Sequence, residues 1–336
     1  MDVINEIATP RESLNYMSNN INYGYLGKDN KVHLWSDSDF DDVWHDEYIL
    51  ENYDDVLRTK VGNCWDQVEF ERTWFLSHGY KIKTFYEQVI LDYDNPYPTH
   101  SFLTFNENDK WYWFENSDGS NRGIHEFNSL NELLDYQLAR YRLFLKNNFN
   151  IKEEEINKIK LFVYYEPKYH STADEYIDNI INGINIMDIR EYIFQDENNP
   201  KYLFHGSPKK IDVLEKRQSH DSDNDPNNID NVVFLTSSFI TATAYAFKDS
   251  IKEASKDLGY DFNINNYGEI PIMVMENVII PENLEGYIYV FEKTDSFENV
   301  PIGSFQYKSH SNLKPNKVLK VNYKDYKNNY KIKQED

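Results

Sequence analysis

A single cysteine, Cys64, among 336 residues decides how this chain can be held together. Without a second thiol there is no intrachain disulfide, so the fold must rest on packing alone. The material for packing is ample: 40% of the residues are hydrophobic and 16% aromatic, too many for a disordered chain. The length exceeds what one hydrophobic core usually supports, so two domains are expected. A fold with no disulfide suits a reducing compartment, and the opening MDVINEIATPRESLNYM has neither the basic nor the apolar region of a signal peptide, so a cytoplasmic location is expected. The longest apolar runs, LFVYY and IMVM, are strand-sized and far short of a membrane span. A net charge of −22 repels phosphate backbones and anionic lipid, so neither nucleic acid nor membrane is expected as a partner. The locally basic YKDYKNNYKIK near the C-terminus reads accordingly as an edge strand and a frayed tail.

The pattern of elements is α+β. Thr9, Pro10 and Glu12 form a capping box before a helix ending near Ile21. HDEYILENYDDVLRTKVG reads as a second helix stopped by Gly62. CWDQVEFERTWFLSHGY puts Trp65, Val68, Arg72 and Phe75 on one helical stripe and ends at Gly79. Short aromatic and β-branched strands follow in YKIKTFYEQVIL, HSFLTF and WYWFEN. An amphipathic helix, NSLNELLDYQLARYRLFLKNNF, and a closing strand, KIKLFVYYEP, complete a first domain over 1–167. A connecting helix with its own cap, Thr172 and Glu175, and a linker fill 168–200. A second, mostly β domain over 201–336 opens with the strand KYLFHGS. It continues through a polar, mobile loop at SHDSDNDPNNIDN, the strand NVVFLTSS, the helix ITATAYAFKDSIKEAS and a run of late strands.

A thiolate is a far better nucleophile than a thiol, and a helix N-terminus and a neighbouring imidazolium both favour it. Gly62 and Asn63 make a turn that sets Cys64 at a helix start. His100 begins a strand, NENDK turns the chain, and WYWFEN returns. A four-residue loop, Asn106 to Asp109, sets His100 opposite Glu115; one more loop residue sets it opposite Asn116. Either side chain can accept from the ring. The histidines and the cysteine show no metal-ligand spacing.

This order, Gly-x-Cys-Trp at a helix start, then a His-led strand, then an acid closing the next strand, resembles the transglutaminase-like branch of the papain-type superfamily over roughly residues 55–120. The resemblance implies a helix-plus-antiparallel-sheet domain with Cys64 as nucleophile, His100 as base and Glu115 as orienting acid. The family carries Asp-Pro at the third position where this chain has Glu115 and Asn116, so both stay candidates. The implied chemistry is attack on a protein or peptide carboxamide or an ester, a thioester, then transfer to water or an amine, with no cofactor. Backbone N–H groups at the helix start are the expected oxyanion donors. Trp65 reads as core, and Asp66 and Gln67 as capping.

In the second half, YLFHGSP followed by NVVFLTSSFITATAYAF resembles the NAD-binding core of ADP-ribosyltransferases. The resemblance implies that His205, Gly206 and Ser207 hold the nicotinamide end of NAD and that Ser237 and Ser238 hold a second ribose. It gives Phe234 or Tyr245 the role of an aromatic wall. Gln306 stands where that family places a glutamate, and it brings no charge to a developing cation, so the expectation is NAD binding without transfer. Three functions follow: a cysteine amide hydrolase or acyltransferase, an NAD- or ADP-ribose-binding protein, and a binding protein in which both sites are vestigial.

Overall fold

In the computed structural model, which describes residues 3–38, 40–92, 95–218, 231–264, 273–301 and 305–333, the chain divides into two compact units, Met1–Asp188 and Ile189–Asp336. Both mix helices with antiparallel sheets.

The first unit starts with α1 (Val3–Glu6) and α2 (Pro10–Asn20), the latter held by the capping box of Thr9 and Glu12. The hairpin of β1 (Gly24–Gly27) and β2 (Val32–Leu34) follows, then α3 (Phe40–Glu47), β3 (Tyr48–Ile49) and α4 (Tyr53–Thr59). Residues 45–62 are therefore not one helix. Tyr48 and Leu50 are fully buried, β3 pairs with β1, and Asn52 restarts the helix by accepting from the Asp55 amide at 2.9 Å. Next come α5 (Cys64–Ser77), β4 (Lys81–Val89), β5 (His100–Glu107), β6 (Lys110–Glu115) and β7 (Gly123–Phe127). The unit closes with α6 (Leu130–Phe149), α7 (Glu153–Ile156), β8 (Ile159–Tyr164), α8 (Ala173–Ile181) and β9 (Ile184–Asn185).

The main sheet has the order β7-β6-β5-β4-β8-β9 and is antiparallel throughout. Alternation along the strands gives it two covered faces. On one, Phe75 of α5 packs against Phe105 and Phe114 at ring separations of 4.7 and 5.1 Å. On the other, the Arg140 guanidinium of α6 lies 5.2 Å over the ring of Trp113. The first unit runs past residue 167, the boundary expected from the sequence, because β9 pairs with β8 and Tyr176 of α8 stacks on Trp65 at 4.6 Å.

The second unit comprises α9 (Arg190–Ile193), β10 (Tyr202–Ser207), β11 (Arg217–Gln218), β12 (Asn231–Thr236) and α10 (Phe239–Ala254). These are followed by β13 (Asp261–Ile264), β14 (Met273–Glu276), β15 (Glu285–Glu292), β16 (Glu298–Asn299), β17 (Gln306–Ser309), β18 (Lys317–Asn322), α11 (Tyr323–Tyr326) and β19 (Tyr330–Lys333). Its main sheet runs β16-β17-β12-β10-β15-β18, and β19 lies parallel to β14 in a smaller one. The C-terminal segment read as an edge strand and a frayed tail does end in an edge strand, β19, and it is anchored there: the Tyr330 hydroxyl lies 2.5 Å from that of Thr243, and its ring stacks on Tyr323. Of the polar stretch 219–231, read as a mobile loop, all but Asn231 lies outside the described residues.

Helix α10 crosses β10 and β15 where the strands carry Gly206 and Gly286. A methyl group at Gly206 would overlap the Ala242 carbonyl oxygen and sit 2.7 Å from the Ala246 nitrogen. Both obstacles are backbone and cannot swing aside. Gly206→Ala is therefore expected to destabilise the second unit by about 3 kcal/mol, the upper end for overpacking. Hydrogen exchange should show the loss in β10 and α10; unchanged protection there would contradict the packing argument.

Candidate active site

The helix start that presents Cys64 is built by Asn63. Its Oδ1 accepts from the amides of Trp65 and Asp66 at 2.8 and 3.3 Å, and the Asp66 carboxylate accepts from the Asn63 amide at 3.0 Å. The other Asp66 oxygen takes the Tyr48 hydroxyl at 2.7 Å and the Glu51 amide at 2.9 Å. Burial nevertheless pushes Asp66 up to about 7. Asp66 is a cap, as its place in the first turn suggested. Gln67 does more than cap: its Nε2 donates to the Gly62 carbonyl at 2.7 Å, and its Oε1 accepts from Asn116 Nδ2 at 2.7 Å. Trp65 is core, 2% exposed, with its indole N–H donating to Thr99 at 3.2 Å. The first turn of α5 is thus tied to the residue before His100 and to the residue after Glu115.

The hairpin that carries those residues turns more tightly than expected. Glu107 pairs with Lys110, and Asn108 and Asp109 alone make the turn, both in the left-handed region at φ 52° and 61°. The register is Leu103–Phe114, so continuing it puts Glu115 across from Phe102 and diagonal to His100. The difference from the expected pairing is an even number of residues, which leaves every side chain on its face. The long glutamate spans the diagonal, and His100 Nε2 lies 3.0 Å from Glu115 Oε2. Glu115 also accepts from the Ser117 hydroxyl at 2.7 Å and the Asp118 amide at 2.8 Å. Asn116, the other candidate, is engaged with Gln67 instead.

The Cys64 thiol neighbours the His100 ring and is among the groups that raise it. With Nε2 on Glu115, Nδ1 is the nitrogen left for the thiol. The His100 side chain is 13% exposed and that of Glu115 is 3% exposed. Burial opposes a charge on His100, but the Glu115 carboxylate, the neighbouring Cys64 and the hydrogen bond to Glu115 outweigh it and push the imidazole up to about 10. Burial likewise opposes a charge on Glu115, and the His100 charge with the surrounding donors brings it down to about 2. The site holds an imidazolium–carboxylate pair beside the thiol.

Two further buried acids face that pair, and the sequence reading missed both. Glu71 is held well above its ordinary range by burial first and by Glu115 second, and its Oε2 has no hydrogen-bond partner. Glu87 is pushed up to about 7 by burial, against the pull of Arg140 at 3.0 Å. Of the three, Glu115 is the carboxylate brought below its ordinary range. Arg140 also reaches Asp118 at 3.2 Å and Gln137 at 2.8 Å, so α6 buttresses the loop that holds Glu115. Glu71 had a signal: it lies two helical turns beyond Cys64 and so on the same side of α5. Glu87 and Arg140 had none, because strand pairing and a helix crossing join residues far apart in the chain.

In the second unit, His205 Nδ1 donates to the Phe234 carbonyl at 2.8 Å, and burial pulls the ring below its ordinary range. The register then separates the expected set. Phe204 pairs with Thr236, and Thr236 with Gln306, so Gln306 shares the face of Phe204 while His205 projects from the other. Ser238 spends its hydroxyl capping α10, where it accepts from Thr241 at 3.3 Å. Ser237 is fully buried, with its hydroxyl directed at the Phe305 carbonyl, and Ser207 accepts from the Lys209 amide at 3.3 Å. Tyr245 is 41% exposed on α10 with Lys248 over its ring. Gly206 is accounted for by the approach of α10.

Among the described residues no cluster of His, Cys, Asp and Glu fit to hold a metal ion occurs, and no helix is long and apolar enough to cross a membrane. No known protein-family model matches the chain, and no curated protein matches it.

Proposed function

We propose that the first unit is a thiol-dependent acyl hydrolase or acyltransferase of the transglutaminase-like, papain-type kind, acting on carboxamide or ester groups of protein or peptide substrates. The observation that carries this reading is one imidazole bonded to Glu115 at 3.0 Å and neighboured by Cys64, the residue that opens α5. With the proton of the thiol already held on His100 as imidazolium, the Cys64 thiolate attacks the carbonyl carbon, whose π pair moves onto oxygen. The tetrahedral adduct collapses as His100 returns the proton to the departing amine or alkoxide, leaving a thioester on Cys64. Water or an amine, deprotonated by the same ring, then takes the acyl group. Glu115 fixes the ring and stabilises its positive charge.

The test is acylation by p-nitrophenyl acetate. The expected result is a burst of nitrophenolate with acetate found on Cys64 by mass spectrometry; a chain that stays unmodified at Cys64 refutes the proposal.

For the second unit, the residues of the second resemblance do not fit NAD as a set. Such a site requires His205 and Gln306 to face one cleft, and they leave the sheet on opposite faces. No step through NAD is derived.

A further inference from the structure

His100 stands between two carboxylates, and the one it bonds is the more distant along the sheet. In the β4–β5 register Glu87 pairs directly with His100, so the two side chains leave the same face. Directly opposed residues have Cβ atoms roughly 5 Å apart, and diagonal neighbours roughly 7 Å. Glu115 is the diagonal neighbour, yet His100 Nε2 lies 3.0 Å from its Oε2. Glu87 is fully buried, and its Oε2 has no hydrogen-bond partner among the described residues. Something must keep this nearer acid from the ring.

Arg140 of α6 holds it. Each donor nitrogen of the guanidinium is committed: Nε donates to Gln137 Oε1 at 2.8 Å, Nη1 to Asp118 Oδ2 at 3.2 Å and Nη2 to Glu87 Oε1 at 3.0 Å. The group lies 5.2 Å over the Trp113 ring and is largely enclosed. One planar fork thus serves both acids that flank His100. It draws Glu87 to itself, and it supports Glu115 through Asp118, whose amide donates to Glu115 Oε1 at 2.8 Å. Glu71 and Cys64 approach the ring from α5. The cations that act on Glu87 are Arg140 and His100, so removal of the first leaves the second.

We infer that Arg140 is a positioning residue that selects the carboxylate of this site: by holding Glu87 it leaves the His100 ring to Glu115. The assignment rests on the acyl-transfer reading, in which Glu115 fixes the ring in front of Cys64. A ring drawn to Glu87 gives up Glu115 and is misplaced at the sulfur. Either carboxylate can keep the imidazole charged, so what Arg140 protects is the placement of the ring and not its proton.

Suppression separates this role from simple support of the fold. In the full-length chain, Arg140→Met keeps an unbranched stem against Trp113 and removes the fork. Acylation of Cys64 by p-nitrophenyl acetate is then expected to slow by about 10²-fold, as for a group misplaced by about 1 Å. Adding Glu87→Gln removes the competing charge and is expected to recover at least about tenfold of that loss, since both positions belong to one network. Mere support predicts the opposite, because the second substitution takes away another buried partner. A double variant no faster than Arg140→Met overturns the assignment, as does an Arg140→Met chain at the wild-type rate. Should near-ultraviolet circular dichroism show Arg140→Met unfolded, the pair is made with Arg140→Lys, whose one ammonium cannot replace the fork, and rescue by Glu87→Gln decides again. A wild-type chain that iodoacetamide alkylates but p-nitrophenyl acetate never acylates refutes the acyl-transfer reading, and the assignment with it. Acylation of wild type without the suppression refutes the assignment alone.

Discussion

Replacing His100 with alanine is expected to lower turnover of p-nitrophenyl acetate by about 10³-fold, within the range for loss of a positioned acid–base group. In the proposed mechanism the ring does two things that nothing nearby can take over: it holds the proton taken from the thiol and delivers it to the leaving group. Glu71 and Glu87 are buried acids beside it, but burial holds Glu71 well above its ordinary range and Glu87 is committed to Arg140. Neither is bonded to the sulfur. Cys64→Ala should remove turnover entirely, since there is no other thiol in the chain. Steady-state nitrophenolate release measures both, and a His100→Ala protein that keeps wild-type turnover would show that the imidazole is not the base.

Glu115→Gln is expected to have the second largest effect, on stability and on turnover together. Glutamine can still accept from Nε2 but supplies no charge, so His100 loses the partner that raises it to about 10. The raised histidine contributes stability that is complete below its ordinary value of 6.5 and disappears as pH rises through about 10. The depressed glutamate contributes stability that is complete above its ordinary 4.5 and disappears as pH falls through about 2. The two overlap fully between 4.5 and 6.5. Removing one partner of a buried pair costs on the order of 3 kcal/mol, so the variant should fall short of wild type by about that amount at pH 5.5, and the gap should narrow toward pH 10. Urea unfolding at the two pH values reads this directly, and a pH-independent gap would show that the pair is not ionic. Turnover at neutral pH should fall by about 10²-fold, because the ring loses the charge that keeps it protonated.

Much of this site was legible because it depends on short-range rules. Gly62 and Asn63 announce a helix start, and the cap forms as read. His100 leads its strand and Glu115 ends the next one because aromatic and β-branched runs mark both. The hairpin register was not legible. Asn106 to Asp109 read equally well as a loop of four, and only the left-handed conformations of Asn108 and Asp109 select the shorter turn. The contact survived because side-chain direction repeats every second residue, and a slip of one would have put Glu115 on the wrong face. The division of residues 45–62 was lost for a different reason: Tyr48 and Leu50 fit a helical spacing, and it was burial beside β1 that made them extended. In the second unit, short motifs of the right composition fell on strands whose register places His205 and Gln306 on opposite faces, which spacing in sequence does not reveal.

The account stands on an imidazole that shares a proton with the only thiol in the chain, and that thiol can be read without interference from any other. The direct measurement is the rate of Cys64 alkylation by iodoacetamide at pH 6, compared between wild type and His100→Ala. An ordinary thiol is less than about 1% ionised at that pH. Wild type is expected to react at least about 100-fold faster than the variant, because the proton has somewhere to go. Equal rates would mean that His100 does nothing to the sulfur.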